Sequence, residues 1–140
     1  MPALPPSDST GDSIAALSAA VDLHRRGKLR EAMFGYKALI DANPRNAAAL
    51  HLFGVGLLQM GDAHNAVQRI RAAIDVDPGP AEPWANLGLA LDACARPEAA
   101  ANALKEAAKR APRDPAVWAN LAGIELDLGR RDEAEASARQ

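Results

Sequence analysis

Few side chains in this 140-residue sequence could carry out chemistry, and their spacing favours no reaction. No serine or threonine stands between Ala19 and Ala136, which excludes a serine or threonine nucleophile from most of the chain. Cys94 is the single cysteine, and no histidine is near it in sequence. The three histidines lack the spacing of a metal-binding motif, and one cysteine cannot build a zinc site. The sequence therefore predicts no catalytic residue, no metal site and no cofactor.

Two asparagines, Asn86 and Asn120, indicate binding instead of catalysis, because they stand 34 residues apart. A side-chain amide carries both a donor and an acceptor, so it can pair with an extended peptide backbone whatever the peptide's side chains are. This role requires that both amides project from the same face of successive structural units.

Such units are visible as columns of similar residues that recur at the same 34-residue step. The repeated columns are Leu50, Trp84 and Trp118; Phe53, Leu87 and Leu121; Gly54, Gly88 and Ala122; Ala32, Ala66, Ala100 and Ala134; and Pro44, Pro78 and Pro112. Several columns in register indicate that the chain is an array of one supersecondary unit.

The residues in these columns resemble the tetratricopeptide repeat (TPR), a helix–turn–helix unit of 34 residues. The match is strongest over residues 47–80 and 81–114 and weaker over 13–46. Residues 115–140 begin a fourth, incomplete repeat, with Glu125 where a large apolar residue is usual. The repeats also resemble bacterial TPR modules and those of O-linked N-acetylglucosamine transferases. The resemblance implies an all-α solenoid of antiparallel helix–turn–helix units that form a right-handed superhelix.

The resulting division is an extended, proline-rich tail over residues 1–12, followed by four repeats. Eight helices are predicted, over residues 13–26, 29–42, 47–60, 63–76, 81–94, 97–110, 115–128 and 131–139. Asn46 and Asp114 are candidate N-caps. The fourth repeat ends inside its second helix, which is either a polar cap or the mark of a chain cut from a longer one.

The columns also predict how the helices pack. Gly54, Gly88 and Ala122 should face the second helix of their own repeat, where Ala66 and Ala100 meet them. The large residues should fill the gaps between helix pairs, so Trp84→Ala should be strongly destabilising.

The turn column predicts where helices end. Gly27, Gly61 and Gly129 should each end a first helix with a left-handed residue. Ala95 occupies the same column, so we predict that it has a positive φ that costs roughly 1–2 kcal/mol.

In the resemblance, the first helices line a concave groove. The peptide-binding candidates placed there are His51, Val55, Leu58, Asn86, Leu89, Asp92, Asn120 and Asp127. Both asparagine amides are expected to point into solvent in the free protein. Arg25 is the only cation placed there, so a partner held by its C-terminal carboxylate is not expected.

The best interpretation is a non-catalytic interaction scaffold that binds an extended protein or peptide segment in this groove. The alternatives are an N-terminal substrate-recruiting module of a longer bacterial glycosyltransferase, sulfotransferase or methyltransferase, and a structural protein that self-associates through the solenoid ends. The net charge of −2, with acids and bases interspersed, indicates no nucleic-acid surface. No apolar run has a membrane-spanning length, so we expect a cytoplasmic location and no membrane partner.

Overall fold

The computed structural model describes residues 9–138, which form α-helices and, within that range, no strand. The helices are α1 (Ser9–Arg25), α2 (Leu29–Ala42), α3 (Ala47–Gln59), α4 (Ala63–Val76), α5 (Ala81–Ala93), α6 (Pro97–Arg110) and α7 (Pro115–Ala138). The all-α prediction is confirmed. No helix in the described range is long and apolar enough to cross a membrane.

The bounds of α2 to α6 agree with the sequence prediction to within one residue at each end. The prediction is wrong for the end of the tail, because α1 begins at Ser9 and residues 9–12 are helical. The remainder of the predicted tail lies outside the described residues. Both predicted caps form: Asn46 Oδ1 accepts from the Ala49 amide at 3.1 Å, and Asp114 Oδ1 accepts from the Ala116 amide at 3.0 Å.

Small residues allow the two helices of a pair to approach closely. A Cβ atom built on Gly88 would lie 2.6 Å from Leu104 Cγ and 3.2 Å from the Ala100 carbonyl oxygen. Gly54 meets Ile70 in the same way. Both large residues are fully buried. The predicted packing of Gly54 and Gly88 on the second helix of their own pair is therefore confirmed.

Each helix packs on the next one along the chain, which produces a solenoid. Further contacts join α3 to α5 and α5 to α7. The odd-numbered helices therefore lie close together, whereas an open cavity lies between α4 and α6 on the other side. We call the side formed by α1, α3, α5 and α7 the inner face, and the side formed by α2, α4 and α6 the outer face.

The fourth repeat differs from the prediction, because α7 runs without interruption from Pro115 to Ala138. Gly129 lies inside this helix and does not have a positive φ. Ala122, which was expected to face a second helix, is exposed, and Trp118 is 48% exposed. The physical reason is that residues 131–138 contain no large apolar residue. Folding back would bury little, and it would interrupt the backbone hydrogen bonds of a continuous helix.

The turns after α1, α3 and α5 have the predicted left-handed residues. Gly27 has a φ of 77°, Gly61 a φ of 85°, and Ala95 a φ of 58°. The positive φ predicted for Ala95 is confirmed, and Ala95 is the only non-glycine residue with positive φ in the described range.

We expect Ala95→Gly to stabilise the protein. Removing the strain of an alanine with left-handed backbone angles contributes about 1–2 kcal/mol. The greater freedom of glycine in the unfolded chain removes about 0.4–1 kcal/mol of that gain. The net effect is a rise of roughly 0.5–1 kcal/mol in the free energy of unfolding, measured by urea denaturation. The matched control is Ala38→Gly on the exposed side of α2, which should cost about 1 kcal/mol. A lowered midpoint for Ala95→Gly would contradict the argument.

Candidate functional site

The inner face carries the predicted peptide-binding residues, which helical spacing places along one side of α3, α5 and α7. They differ widely in accessibility. Leu89, Asp92 and Asp127 are exposed; Val55, Leu58, Asn86 and Asn120 are half-buried; and His51 is buried. The accessible part of the set therefore lies mainly on α5 and α7.

His51 and Asn86 bind one another instead of facing solvent. The Asn86 Nδ2 atom lies 2.8 Å from His51 Nε2, which links α3 to α5. Burial lowers the pKa of His51 below its ordinary value of 6.5, and the nearby carboxylate of Glu82 opposes part of this shift. A neutral imidazole can accept the amide proton at Nε2, whereas a protonated one cannot. The expectation that the Asn86 amide points freely into solvent is therefore wrong.

A second histidine joins neighbouring helices at the same sequence separation. His24 Nε2 lies 2.6 Å from Gln59 Oε1, which is 35 residues away, as Asn86 is from His51. His24 Nδ1 also lies 2.9 Å from the hydroxyl of Tyr36. Two polar bridges therefore cross between odd-numbered helices, one from α1 to α3 and one from α3 to α5. Both hold the helices of the inner face together.

We expect the His51 bridge to make stability depend on pH. Well above pH 6.5 the imidazole is neutral in both the folded and the unfolded chain, so protonation of His51 does not reduce the free energy of unfolding. As the pH falls below 6.5, the unfolded chain binds the proton more readily than the folded chain, and the free energy of unfolding decreases. His51→Gln retains an acceptor for Asn86 but does not titrate. Between pH 7.5 and pH 5, urea midpoints should fall less in this variant than in the unchanged protein; equal falls would exclude the mechanism.

Asn120 occupies the same column as Asn86 but has a different environment. Ala85 stands one repeat after His51, in the position that corresponds to it, and its side chain cannot accept a hydrogen bond. Within the described range the Asn120 side chain has no hydrogen-bond partner, and it is half-buried. The expectation of an unbonded amide therefore holds for Asn120 alone.

The inner face is apolar with acidic positions. Leu89 and Leu126 are exposed leucines on α5 and α7, and each stands near an exposed aspartate, Asp92 or Asp127. Neither aspartate forms an ion pair within residues 9–138. This surface can bind apolar side chains, and its charge favours neutral or basic groups beside them.

The outer face contains three cavities that the sequence analysis did not predict. The first has a volume of about 420 Å³ and includes Phe53, Leu57 and Arg69. The second has a volume of about 630 Å³ and lies between α4 and α6 over Trp84, Leu87 and Leu91. The third, of about 300 Å³, lies beside Trp118 and Leu121. Phe53, Leu87 and Leu121 share one column, so the three cavities are equivalent places in successive repeats.

One substitution in the repeat distinguishes the first outer cavity from the second. Arg69 lines the first cavity, where its guanidinium lies 5.3 Å from the centre of the Phe53 ring. The same column holds Ala103 in the second cavity, which has the larger volume. The sequence therefore contains a sign of this difference between the two cavities, because Arg69 and Ala103 stand 34 residues apart.

Comparison with known proteins agrees with the repeat assignment. Residues 95–139 match the family model described as tetratricopeptide repeat. No curated protein sequence matches the chain. Among solved structures, the first TPR domain of Spaghetti (RPAP3) bound to an HSP90 peptide is similar, with a TM-score of 0.80 and 17% identity over 84% of this chain and 93% of that one.

Two further structures have the same fold. The Sgt2 TPR domain of Aspergillus fumigatus has a TM-score of 0.82 and 19% identity, over 87% of this chain and 82% of that one. A mutant O-GlcNAc transferase of Thermobaculum terrenum has a TM-score of 0.82 and 26% identity over 86% of this chain. The match covers only 23% of the transferase. Together with the helix pairs described above, these findings show that the chain has the fold of tetratricopeptide-repeat proteins and that residues 95–139 match that family.

Proposed function

We propose that the protein is a non-catalytic interaction scaffold that binds an extended peptide segment on its inner face. The observation that carries this proposal is the accessible surface of α5 and α7, which includes the exposed Leu89 and Leu126 and the half-buried, unbonded amide of Asn120. Apolar side chains provide contact area, and the amide can bind one peptide unit of an extended backbone. A relative of the same fold is bound to an HSP90 peptide, which supports peptide binding as the general mode.

The charge of the inner face limits the class of peptide. Asp92 and Asp127 are exposed there, and the nearest cation of the predicted groove, Arg25, lies at the end of α1. A ligand held by its own carboxylate would meet like charge, which is unfavourable. We therefore propose a neutral or basic segment with apolar side chains as the partner, bound by Val55, Leu58, Leu89, Asp92, Asn120 and Asp127. His51 and Asn86 act in this proposal by fixing the spacing of α3 and α5.

The two asparagines provide an internal test. A library of random 12-residue peptides displayed on phage would be selected against the full chain, and the affinity of the best synthetic peptide would be measured by calorimetry. Asn120→Ala should weaken binding by about 2- to 12-fold, the equivalent of one hydrogen bond of 0.5–1.5 kcal/mol, and should leave the unfolding midpoint unchanged. Asn86→Ala, in contrast, should lower the unfolding midpoint, because it leaves the buried His51 without its hydrogen-bond partner.

A control substitution on the other face completes the design. Asn102→Ala lies on the wall of the second outer cavity and should change neither affinity nor stability. If the selected peptides depend on Asn102 and not on Asn120 for binding, the peptide-binding site lies on the outer face. Failure to select any peptide would oppose the proposed function itself.

A second candidate is a substrate-recruiting module of a longer enzyme. The likeness to the repeat region of an O-GlcNAc transferase, at 26% identity, favours it over other enzyme-linked roles. The sequence of the gene's full reading frame tests this candidate, because it requires a catalytic domain in the same polypeptide.

A further inference from the structure

The second outer cavity, which lies between α4 and α6, differs from the other two in its size and in the groups that line it. Its volume of about 630 Å³ falls within the range of roughly 300–1,000 Å³ that is typical of sites for small molecules. It shares no lining residue with the first outer cavity. Along α4 its wall extends only from Arg71 to Asp75, which is about 6 Å of helix. A confined space of this kind suits a compact ligand better than a long partner segment.

The floor of the second outer cavity is apolar and contains an aromatic ring. Trp84, Leu87 and Leu91 line it from one side of α5, and Ile74 adds to the floor from α4. The indole of Trp84 is half-buried, and the Arg110 guanidinium lies 4.6 Å from the centre of its ring. An apolar ligand body that covers the accessible part of this floor would be stabilised by leaving water.

Small side chains on α6 distinguish this cavity from its counterpart one repeat earlier. Ala99 and Ala103 line the second outer cavity. The same columns hold Asn65 and Arg69, which line the first outer cavity. These two exchanges agree with the larger volume of the second cavity.

One carboxylate at the edge of the cavity is already paired with two cations. Glu106 lies 3.0 Å from Lys109 Nζ and 2.7 Å from a guanidinium nitrogen of Arg110. Hydrogen bonds from Arg110 and Lys109 lower the pKa of the Glu106 carboxyl group, so it is ionised at neutral pH. Because two cations share one carboxylate, the cluster as a whole carries a positive charge that attracts anions.

Two further cations line the cavity from its two opposite walls. Arg71 on α4 is exposed and forms no ion pair within residues 9–138. Lys105 on α6 has Glu125 at 3.9 Å, and both of these side chains are more than half exposed. Asp75 is the remaining carboxylate at this edge. Cations therefore outnumber carboxylates around the opening, although the whole chain has a net charge of −2.

We propose that the second outer cavity binds a small amphiphilic organic anion. Its apolar body lies on the floor beside Trp84, and its carboxylate lies at the opening between Arg71 and Lys105. Burial of the apolar body contributes most of the affinity, and the two cations select for the negative charge. This site is separate from the peptide-binding surface of the inner face, so either proposal can fail without the other.

Three ligands of equal length test the requirement for negative charge. Octanoate, octanol and octylammonium would be titrated into the labelled full chain and followed by two-dimensional NMR. Octanoate should bind most tightly and octylammonium least tightly. In the double variant Arg71→Gln/Lys105→Gln, the affinity for octanoate should fall by about 2- to 30-fold, and the affinity for octanol should not change. The control double variant Arg30→Gln/Lys37→Gln, on the exposed side of α2, removes the same charge and should have no effect. Equal affinities for the three ligands, or equal effects of the two double variants, would overturn the proposal.

The two tryptophans and a pair of matched substitutions locate the site. Octanoate should shift the indole N–H signal of Trp84 and leave that of Trp118, beside the third outer cavity, nearly unchanged. Ala99→Leu fills the second cavity and should weaken binding at least about tenfold, whereas Asn65→Leu, in the same column one repeat earlier, should not. Ala99→Asn, which copies Asn65, is the variant to use if Ala99→Leu does not fold. A shift of Trp118 alone, a shift of neither indole, or equal effects at residues 65 and 99 would overturn the proposal.

Discussion

Leu104→Ala is expected to lower the free energy of unfolding by about 2–5 kcal/mol, one of the two largest effects for a single side chain in this protein. Leu104 is fully buried between α5 and α6, in the largest of the three apolar clusters in the described residues. Its removal leaves a cavity that the two rigid helices cannot close. Chemical denaturation measures the change, and circular dichroism at low denaturant should show that the helices persist.

The same site tests why its column holds glycine. Gly88→Ala alone should cost about 1–3 kcal/mol, because the new methyl group would lie 2.6 Å from Leu104 Cγ. In the Leu104→Ala background that atom is absent, so the second substitution should cost much less. Additive losses in this double-mutant cycle would contradict the proposed contact. The control is Gly123→Ala on α7, which meets nothing within 4 Å and should stabilise the helix by about 1 kcal/mol.

Trp84→Ala should be the second strongly destabilising substitution, with a loss of about 2–4 kcal/mol. The indole packs against the main cluster, its N–H donates to the Pro78 carbonyl at 2.9 Å, and the Arg110 guanidinium lies 4.6 Å from its ring centre. Arg110 Nε also donates to the Pro78 carbonyl, at 2.8 Å. The side chain therefore fixes the turn between α4 and α5 as well as filling space.

Trp118→Ala is the matched control, because Trp118 stands in the same column. Its indole donates to the Pro112 carbonyl at 2.8 Å, as Trp84 does to Pro78, but the ring is 48% exposed. In dilute, monomeric protein this substitution should cost only about 1 kcal/mol or less. If Trp118→Ala costs as much as Trp84→Ala, the contribution of each tryptophan depends on its position in the repeat and not on how deeply it is buried.

The two faces of the solenoid provide different chemistry. The inner face presents leucines, aspartates and one unbonded amide, whereas the second outer cavity presents an apolar floor and a charged rim that includes Arg71 and Glu106. Ala103, which lines this cavity, is buried in the core, whereas Arg69 in the same column of the preceding repeat is exposed.

The 34-residue columns alone determined the repeat unit, the bounds of α2 to α6 and the left-handed turn at Ala95. These are local properties, because a helix needs only its periodic apolar side and its caps, and a turn needs only its own φ. The packing of Gly88 on the second helix of its own pair was also predictable, because columns of small residues recur on both helices of each repeat.

The partners of individual polar side chains, and the course of α7, were decided only by the tertiary structure. Asn86 and Asn120 are the same residue in the same column, yet only Asn86 is bonded, because His51 lies across from it and no such residue lies across from Asn120. Gly129 matches the turn column, yet it is helical. A turn forms where the helix that follows gains enough by packing back, and that gain depends on apolar residues at a distance from the glycine. The sequence of this protein specifies its repeats locally, whereas the balance between packing and helix continuity is settled by contacts between them.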